Sequence, residues 1–184
     1  EDTLSLHDAL PISPISDNLE ELQTSLSSKV LTSDLFTTPV NMIGACGIRF
    51  ENRVIDGKNT EIAIVGIVIW RLYNVENIVS LDRILVRQIN NQSIIYRNKQ
   101  EFSNLPEYKS SLLSTREFAC YEHLVRQIPA EFKPQILLVD GNGQMHIHRL
   151  GSASQLGVML DICTIGISKK FCSVGGWTSE DIEN

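Results

Sequence analysis

Three charged side chains stand where an α/β fold could bring them together. Asp140 ends the apolar run Ile136–Val139, which is typical of a strand buried on both faces of a sheet. Lys169 follows a second short predicted strand, Cys163–Ser168, and Glu117 lies in a predicted amphipathic helix. Open α/β sheets place their sites at strand ends, so we expect Asp140 and Lys169 at one edge. A carboxylate on a strand end and another on a packed helix can converge on a divalent cation, which prefers oxygen ligands.

Taken singly, each of these residues also has an ordinary structural interpretation. Asp140 could cap the turn that follows it, and Glu117 could lie beside Arg116 on a solvated helix face. His146 alternates with apolar residues as on an exposed edge, and Lys169 could be surface charge. The residue types alone leave these alternatives open.

The C-terminal half predicts the elements that would position these side chains. Gly141, Asn142 and Gly143 predict a tight turn directly after Asp140. Ser152 is a plausible N-cap for a short helix of small and apolar residues. The apolar stripe of Ser111–Ile128 predicts a longer helix, which the following proline ends.

The N-terminal half predicts strands of an antiparallel meander. Met42–Phe50 and Ile62–Trp70 are predicted to form a hairpin joined through Asn52–Asn59. Val79–Gln88 and Ser93–Tyr96 are predicted as further strands, and Ile15–Val30 as a helix.

Length and composition favour one domain with a substantial core in 184 residues. The 16 basic and 22 acidic residues give a net charge of −6, which counts against strong non-specific nucleic-acid binding. The cysteines have no CxxC spacing, and Cys46 and Cys163 lie in apolar runs, which predicts reduced core thiols. The longest apolar run, Ile62–Trp70, is about half a membrane span.

The two ends of the chain are predicted to lie outside the domain. Residues 1–13 are predicted to be a non-native or disordered leader, and they lack the pattern of a secretory signal. Residues 14–175 form the predicted domain and 176–184 a polar tail. We expect an intracellular monomer, in the cytoplasm or nucleus, without membrane contact.

The sequence VDGNG, followed by His146 and then by GSASQLGVMLDICTIGISKK, resembles the core of the endonuclease V family. The similarity runs without a gap from Asp140 to Lys170 and continues more loosely upstream to Met42. It implies a ribonuclease H-like fold, an α/β mixed sheet flanked by helices. It also implies cleavage near deaminated adenine (inosine) in DNA or RNA with Mg²⁺ or Mn²⁺ as cofactor.

The resemblance also implies roles for single residues. Glu117 and Asp140 match metal ligands, His146 a histidine beside the metal, and Lys169 a lysine near the reacting phosphate. Six further positions match the family's contacts with nucleic acid and the extruded base: Tyr108, Ser111, Leu113, Gly141, Gly151 and Gly166.

Several positions depart from the family pattern. Gly47 stands where the family has the acid of its first strand, and Glu51 lies about 13 Å further along that strand. Gln155 replaces a second histidine, and the family's later acidic segment lies beyond the C-terminal residue. An insertion is expected between Tyr73 and Asn104. The alternative function is therefore a catalytically inactive ribonuclease H-like module that binds nucleic acid or a partner.

Overall fold

The structure, a computed structural model, describes residues 10–11, 19–31, 40–72, 93–105 and 113–169. In chain order the elements are β1 (Leu10–Pro11), α1 (Leu19–Ser27), β2 (Met42–Ile55), β3 (Lys58–Arg71), β4 (Ile94–Ser103), α2 (Leu113–Arg126), a 3₁₀ helix (Ala130–Phe132), β5 (Ile136–Asp140), α3 (Ser152–Leu160) and β6 (Cys163–Ile167). No helix in these ranges is long and apolar enough to cross a membrane.

The strands form one mixed sheet in the order β1-β4-β3-β2-β5-β6. β2, β3 and β4 are antiparallel neighbours, whereas β5 runs parallel to both β2 and β6. Ile136, Leu137, Leu138 and Val139 are all buried, because β5 has a strand on each side and apolar residues on both faces. The prediction of Ile136–Asp140 as an interior strand is confirmed.

The hairpin between β2 and β3 is confirmed, but its predicted connection was too long. Only Asp56 and Gly57 form the turn, with φ of 49° and 75°, as a two-residue hairpin turn of type I′ requires. The other residues of Asn52–Asn59 belong to the strands. Their polar side chains resemble a loop, yet Arg53 pairs with Glu101 across the sheet and with Glu51 on its own strand.

The third strand of the meander was also misjudged. Ser93–Tyr96 was predicted, whereas β4 extends to Ser103 through a polar stretch that ends at the buried Phe102. Leu10 and Pro11 pair in parallel with Phe102 and Ser103, so part of the predicted leader adjoins the sheet. The predicted strand Val79–Gln88 and residues 73–92 of the expected insertion lie outside the described residues.

The core has one cluster on each face of the sheet. The larger contains Cys46 and Val139 of the sheet with Phe118 and Tyr121 of α2. The smaller contains Val40, Ile43, Leu72, Ile136 and Leu138. Cys46 is a buried free thiol, as predicted, but Cys163 is exposed because β6 is the outermost described strand beyond β5.

Candidate metal centre at the end of strand β5

Asp140 ends β5 beside the middle of β2. The parallel register pairs Cys46 with Val139, so the next residues, Gly47 and Asp140, are neighbours across the two strands. Because side chains alternate along a strand, both belong to the face of the smaller core cluster. A Cβ built on Gly47 would lie 3.8 Å from the Asp140 Cβ, which is an ordinary contact. Asp140 is exposed, so its carboxylate is accessible from solvent.

Glu117 is a buried carboxylate, not a solvated one. Only 5% of the residue is exposed, and the Ser152 hydroxyl donates a 2.7 Å hydrogen bond to its Oε2. Burial raises the pKa of Glu117 to about 7; the Ser152 bond opposes this rise, the charge of Asp140 adds to it, and Arg116 opposes it. Glu117 and Asp140 therefore interact electrostatically.

A third side chain responds to the same two charges. Burial, followed by the negative charges of Glu117 and Asp140, raises the pKa of Cys46 to about 12. Cys46 thus stays a neutral thiol next to the candidate site and is no nucleophile at neutral pH. Its place beside the acids depends on the pairing of β2 with β5, which local sequence does not reveal.

Two side chains of α2, Tyr121 and Arg116, hold the helix turn of Glu117 against the sheet. The Tyr121 hydroxyl donates a 3.3 Å hydrogen bond to the backbone carbonyl of Asp140. Arg116, which is only 6% exposed, forms an ion pair with Glu61, and its guanidinium carbon lies 4.3 Å from the centre of the Phe50 ring. These contacts fix the helix turn that carries Glu117.

The two carboxylates come from opposite faces of the sheet. Helix α2 packs on the larger cluster, whereas Asp140 continues the row of Ile136 and Leu138 on the other face. The two side chains can approach one cation only at the end of β5, where the strand no longer separates the faces. We predict that their oxygens lie roughly 4–6 Å apart, as one shared cation would require.

Ser152 was not predicted to contact the site. It was interpreted as the N-cap of the helix, but Gly151 is the N-cap of α3 and no side chain caps the helix. The hydroxyl of Ser152 bonds to Glu117 instead, 35 residues away in the chain. A serine at a helix start usually caps it, so the sequence carried no signal for this contact.

The turn after Asp140 packs tightly against the next two elements. Gly141 N–H donates to the Ile167 carbonyl at 2.8 Å, and Gly151 N–H to the Gly143 carbonyl at 2.9 Å. A Cβ on Gly166 would lie 2.5 Å from the Gly143 nitrogen, and one on Gly151 would overlap the Asn142 carbonyl. The glycines thus serve close packing of the backbone, and their contact with a base stays a prediction.

The other two predicted catalytic residues, His146 and Lys169, make no described contact with the two carboxylates. His146 lies in the loop after β5, where its Nδ1 accepts a 3.3 Å bond from the His148 N–H. Burial and then His148 lower the pKa of His146, so the ring is neutral at pH 7. Lys169 is exposed just after β6, and within the described ranges no hydrogen bond or ion pair joins either residue to Glu117 or Asp140.

Two of the six predicted nucleic-acid contacts lie outside the described residues. Leu113 begins α2, whereas Tyr108 and Ser111 lie outside the described residues. Glu51 cannot replace the missing acid at Gly47, because its carboxylate pairs with Arg49 and Arg53.

The donor set suits a hard cation with few protein ligands. Across the described ranges, no group of three or more His, Cys, Asp or Glu side chains could hold a metal ion. Mg²⁺ is commonly bound through one or two carboxylates, with water and substrate phosphate completing its coordination. Glu117 and Asp140 offer two carboxylates for that mode, and their binding of a cation stays a prediction, whereas a structural zinc site needs four protein ligands.

The family model and the similar proteins point to the same family. The family model described as Endonuclease V matches residues 76–183. Endonuclease V of Trichormus variabilis is 33% identical over 148 residues, which is 80% of this chain and 56% of that protein. A putative endonuclease of Schizosaccharomyces pombe is 33% identical over 100 residues, or 54% of this chain and 40% of that protein. The chain spans about half the length of these relatives.

Solved structures agree with the fold. Ciona intestinalis endonuclease V, in complex with a 23mer DNA containing an inosine followed by a ribo-adenosine, superposes with a TM-score of 0.68 at 25% identity, covering 92% of this chain and 66% of that one. The catalytic domain of human endonuclease V gives a TM-score of 0.67 at 23% identity, covering 92% and 65%. The predicted ribonuclease H-like mixed sheet is confirmed.

Proposed function

This chain belongs to the endonuclease V family, and we propose that it cleaves phosphodiester bonds near deaminated adenine in DNA or RNA with Mg²⁺ or Mn²⁺ as cofactor. The Ciona relative bound to inosine-containing DNA supports this class of substrate. The family membership supports a nuclease reaction.

One observation carries the proposal for a metal. Glu117 is buried, and the negative charge of Asp140 makes its charged form less favourable still. Burying a carboxylate near another is costly unless a cation neutralises them. A divalent cation between Glu117 and Asp140 would remove this cost and hold both groups in their charged forms.

The chain's own residues then have distinct tasks. Glu117 and Asp140 hold the cation, and Ser152 orients Glu117 through its hydrogen bond. When bound, the cation polarises a phosphoryl oxygen and lowers the pKa of a bound water. Lys169, after β6, offsets negative charge that develops on the phosphate, and the neutral ring of His146 can accept a proton.

Recognition of the altered base is the second part of the proposal. The nucleotide leaves the stack and enters a pocket formed largely by backbone groups. The tight turn at Gly141, with Gly151 and Gly166 packed against it, supports this assignment because its backbone is fixed by hydrogen bonds. Tyr108, Ser111 and Leu113 complete the proposed contact with nucleic acid.

Gly47 favours a second candidate, a module that binds nucleic acid or a partner without cleaving it. Gly47 has no side chain, although there is room for one beside Asp140, so only the carboxylates of Glu117 and Asp140 remain to bind a metal. Losing one negative ligand weakens metal binding and therefore cleavage.

Cleavage of an inosine-containing oligonucleotide, with the adenine version as control, separates the two candidates. The nuclease cuts only the inosine strand and only with Mg²⁺ or Mn²⁺, and Asp140→Asn abolishes the cut. If the unaltered chain and Asp140→Asn bind the oligonucleotide equally and neither cleaves it, the chain is the binding module instead.

A further inference from the structure

The loop after β5 brings two imidazole rings together at the surface. His146 and His148 lie in a tight turn, which a 2.7 Å hydrogen bond from the Arg149 N–H to the His146 carbonyl closes. The centres of the two rings are 5.7 Å apart, and their planes are tilted by 45°. Both residues are half-buried, so solvent reaches the pair.

This separation fits two histidines that share one metal ion. A Zn–N bond is about 2.1 Å long and an imidazole ring has a radius of about 1.1 Å, so the ion lies about 3.2 Å from each ring centre. Two rings that meet at one ion, at an angle between tetrahedral and linear, therefore have centres about 5–6.5 Å apart. His146 and His148 already have this spacing, and rotation about their side-chain bonds can direct one nitrogen of each ring to the ion.

The His146 ring is in the protonation state that a metal requires. Histidine binds metal as the neutral imidazole. Burial and then the neighbouring His148 lower the pKa of His146, so this ring is neutral at pH 7. Within the described ranges, the one hydrogen bond to either ring is the 3.3 Å bond from the His148 N–H to Nδ1 of His146. This bond is long, and a metal on the His146 ring would replace it.

Two imidazoles select a different class of metal from two carboxylates. Imidazole suits Zn²⁺, Cu²⁺ and Ni²⁺, whereas Mg²⁺ and Mn²⁺ prefer oxygen ligands. Two protein ligands leave the other positions of a tetrahedral ion to water, so such a site binds its ion reversibly and is not structural. We propose that His146 and His148 form a second metal site, which binds Zn²⁺ and inhibits cleavage when it is occupied.

The inhibition rests on the proposed function, in which the neutral ring of His146 accepts a proton. A metal ion on this ring takes the lone pair that the proton would need. The two carboxylates keep their own cation, because no described hydrogen bond or ion pair joins Glu117 or Asp140 to His146.

Calorimetric titration with Zn²⁺ tests the site without nucleic acid. The full chain is titrated in excess Mg²⁺, which competes for the two carboxylates, after alkylation of its accessible thiols, because Cys163 is exposed. One Zn²⁺ should bind per chain. His146→Asn and His148→Asn should each weaken binding on the order of 100-fold, because the second imidazole acts at the high effective concentration that a short turn imposes. His123→Asn, on α2, is the matched control that removes an imidazole elsewhere and should leave the affinity unchanged.

The rate of Mg²⁺-dependent cleavage of an inosine-containing oligonucleotide tests the inhibition. Zn²⁺ at a concentration that fills the site should slow cleavage by the unaltered chain on the order of 100-fold, as loss of a proton acceptor does. The same concentration should spare His148→Asn. This variant keeps the backbone N–H that bonds to His146, so its rate without Zn²⁺ should equal that of the unaltered chain.

The outcomes separate this inference from the proposed function. Absence of Zn²⁺ binding, or binding that survives both His146→Asn and His148→Asn, would overturn the site. Binding that is lost in Asp140→Asn instead would place Zn²⁺ at the carboxylates, which overturns the site but supports the proposed metal centre. Equal inhibition of the unaltered chain and His148→Asn would overturn the inhibitory role. If the unaltered chain does not cleave even without Zn²⁺, the proposed function and the inhibition fall together, and the titration alone decides the metal site.

Discussion

The hydroxyl of Ser152 donates a 2.7 Å hydrogen bond to the buried carboxylate of Glu117. This contact joins the first turn of α3 to α2 and opposes the rise of the Glu117 pKa that burial causes. Ser152 therefore positions the carboxylate of Glu117, the candidate metal ligand.

Replacing Ser152 with alanine should weaken metal binding through Glu117. A hydrogen bond to a charged group contributes about 1.5–3 kcal/mol, so Mn²⁺ affinity at pH 7 should fall by about 10-fold or more. Calorimetric titration with Mn²⁺ measures this loss. Ser154→Ala is the matched control, because Ser154 is also buried on α3 and makes no bond to Glu117. Equal losses in the two variants would contradict the role of Ser152.

Replacing Glu117 with glutamine should stabilise the metal-free protein at high pH. The folded pKa of about 7 exceeds the usual 4.5, so folding disfavours the charged form. Stability is therefore greatest below about pH 4.5 and decreases as the pH rises towards 7. Glutamine does not titrate, so the variant should gain about 3 kcal/mol over the unaltered chain between pH 4.5 and pH 8. Urea unfolding with a chelator present measures this, and a pH-independent difference would refute it.

Alanine substitutions at Gly151 and Gly66 should differ in their effect on stability, because only Gly151 packs tightly against the turn after Asp140. Gly151→Ala forces a Cβ into the Asn142 carbonyl, and should cost about 3 kcal/mol or prevent folding. Gly66→Ala places its Cβ where no described atom lies within 4 Å, so its effect should stay within about 1 kcal/mol. Melting temperatures of the pair check this. A loss of melting temperature in Gly151→Ala as small as that in Gly66→Ala would show that the turn can shift to accept the Cβ.

The strand that carries the site could be predicted from sequence, because its signal is local. Ile136–Val139 is an uninterrupted apolar run between Pro134 and Gly141, and β5 consists of this run and Asp140. The turn at Asp56-Gly57 was inside the predicted connection, but the strand ends were not predicted. Their polar residues are stabilised by ion pairs to other strands, such as Arg53 with Glu101, which local patterns do not show.

The surroundings of the site depended on contacts distant in the chain. The resemblance selected Glu117, yet its burial and its bond to Ser152 follow from how α2 and α3 pack together. The exposure of Cys163 follows from the outer position of β6, although its apolar neighbours suggested a core strand. Composition and periodicity contain neither fact.

The central claim, that Glu117 and Asp140 share a catalytic cation, is tested most directly by adding a carboxylate at Gly47. The Cβ of Gly47→Asp would lie 3.8 Å from the Asp140 Cβ without a clash, so its carboxylate can join the same cation. Gly47→Asn is the matched control, since it has nearly the same shape without the charge.

The measurement is the rate of Mn²⁺-dependent cleavage of an inosine-containing oligonucleotide by the unaltered chain, Gly47→Asp, Gly47→Asn and the double variant Gly47→Asp with Asp140→Asn. Each protein is first shown to be folded by its melting temperature. We predict faster cleavage by Gly47→Asp alone, with the gain lost in the double variant because a shared cation needs both carboxylates. An equal gain in Gly47→Asn, or a gain that survives Asp140→Asn, would contradict a cation shared at this site.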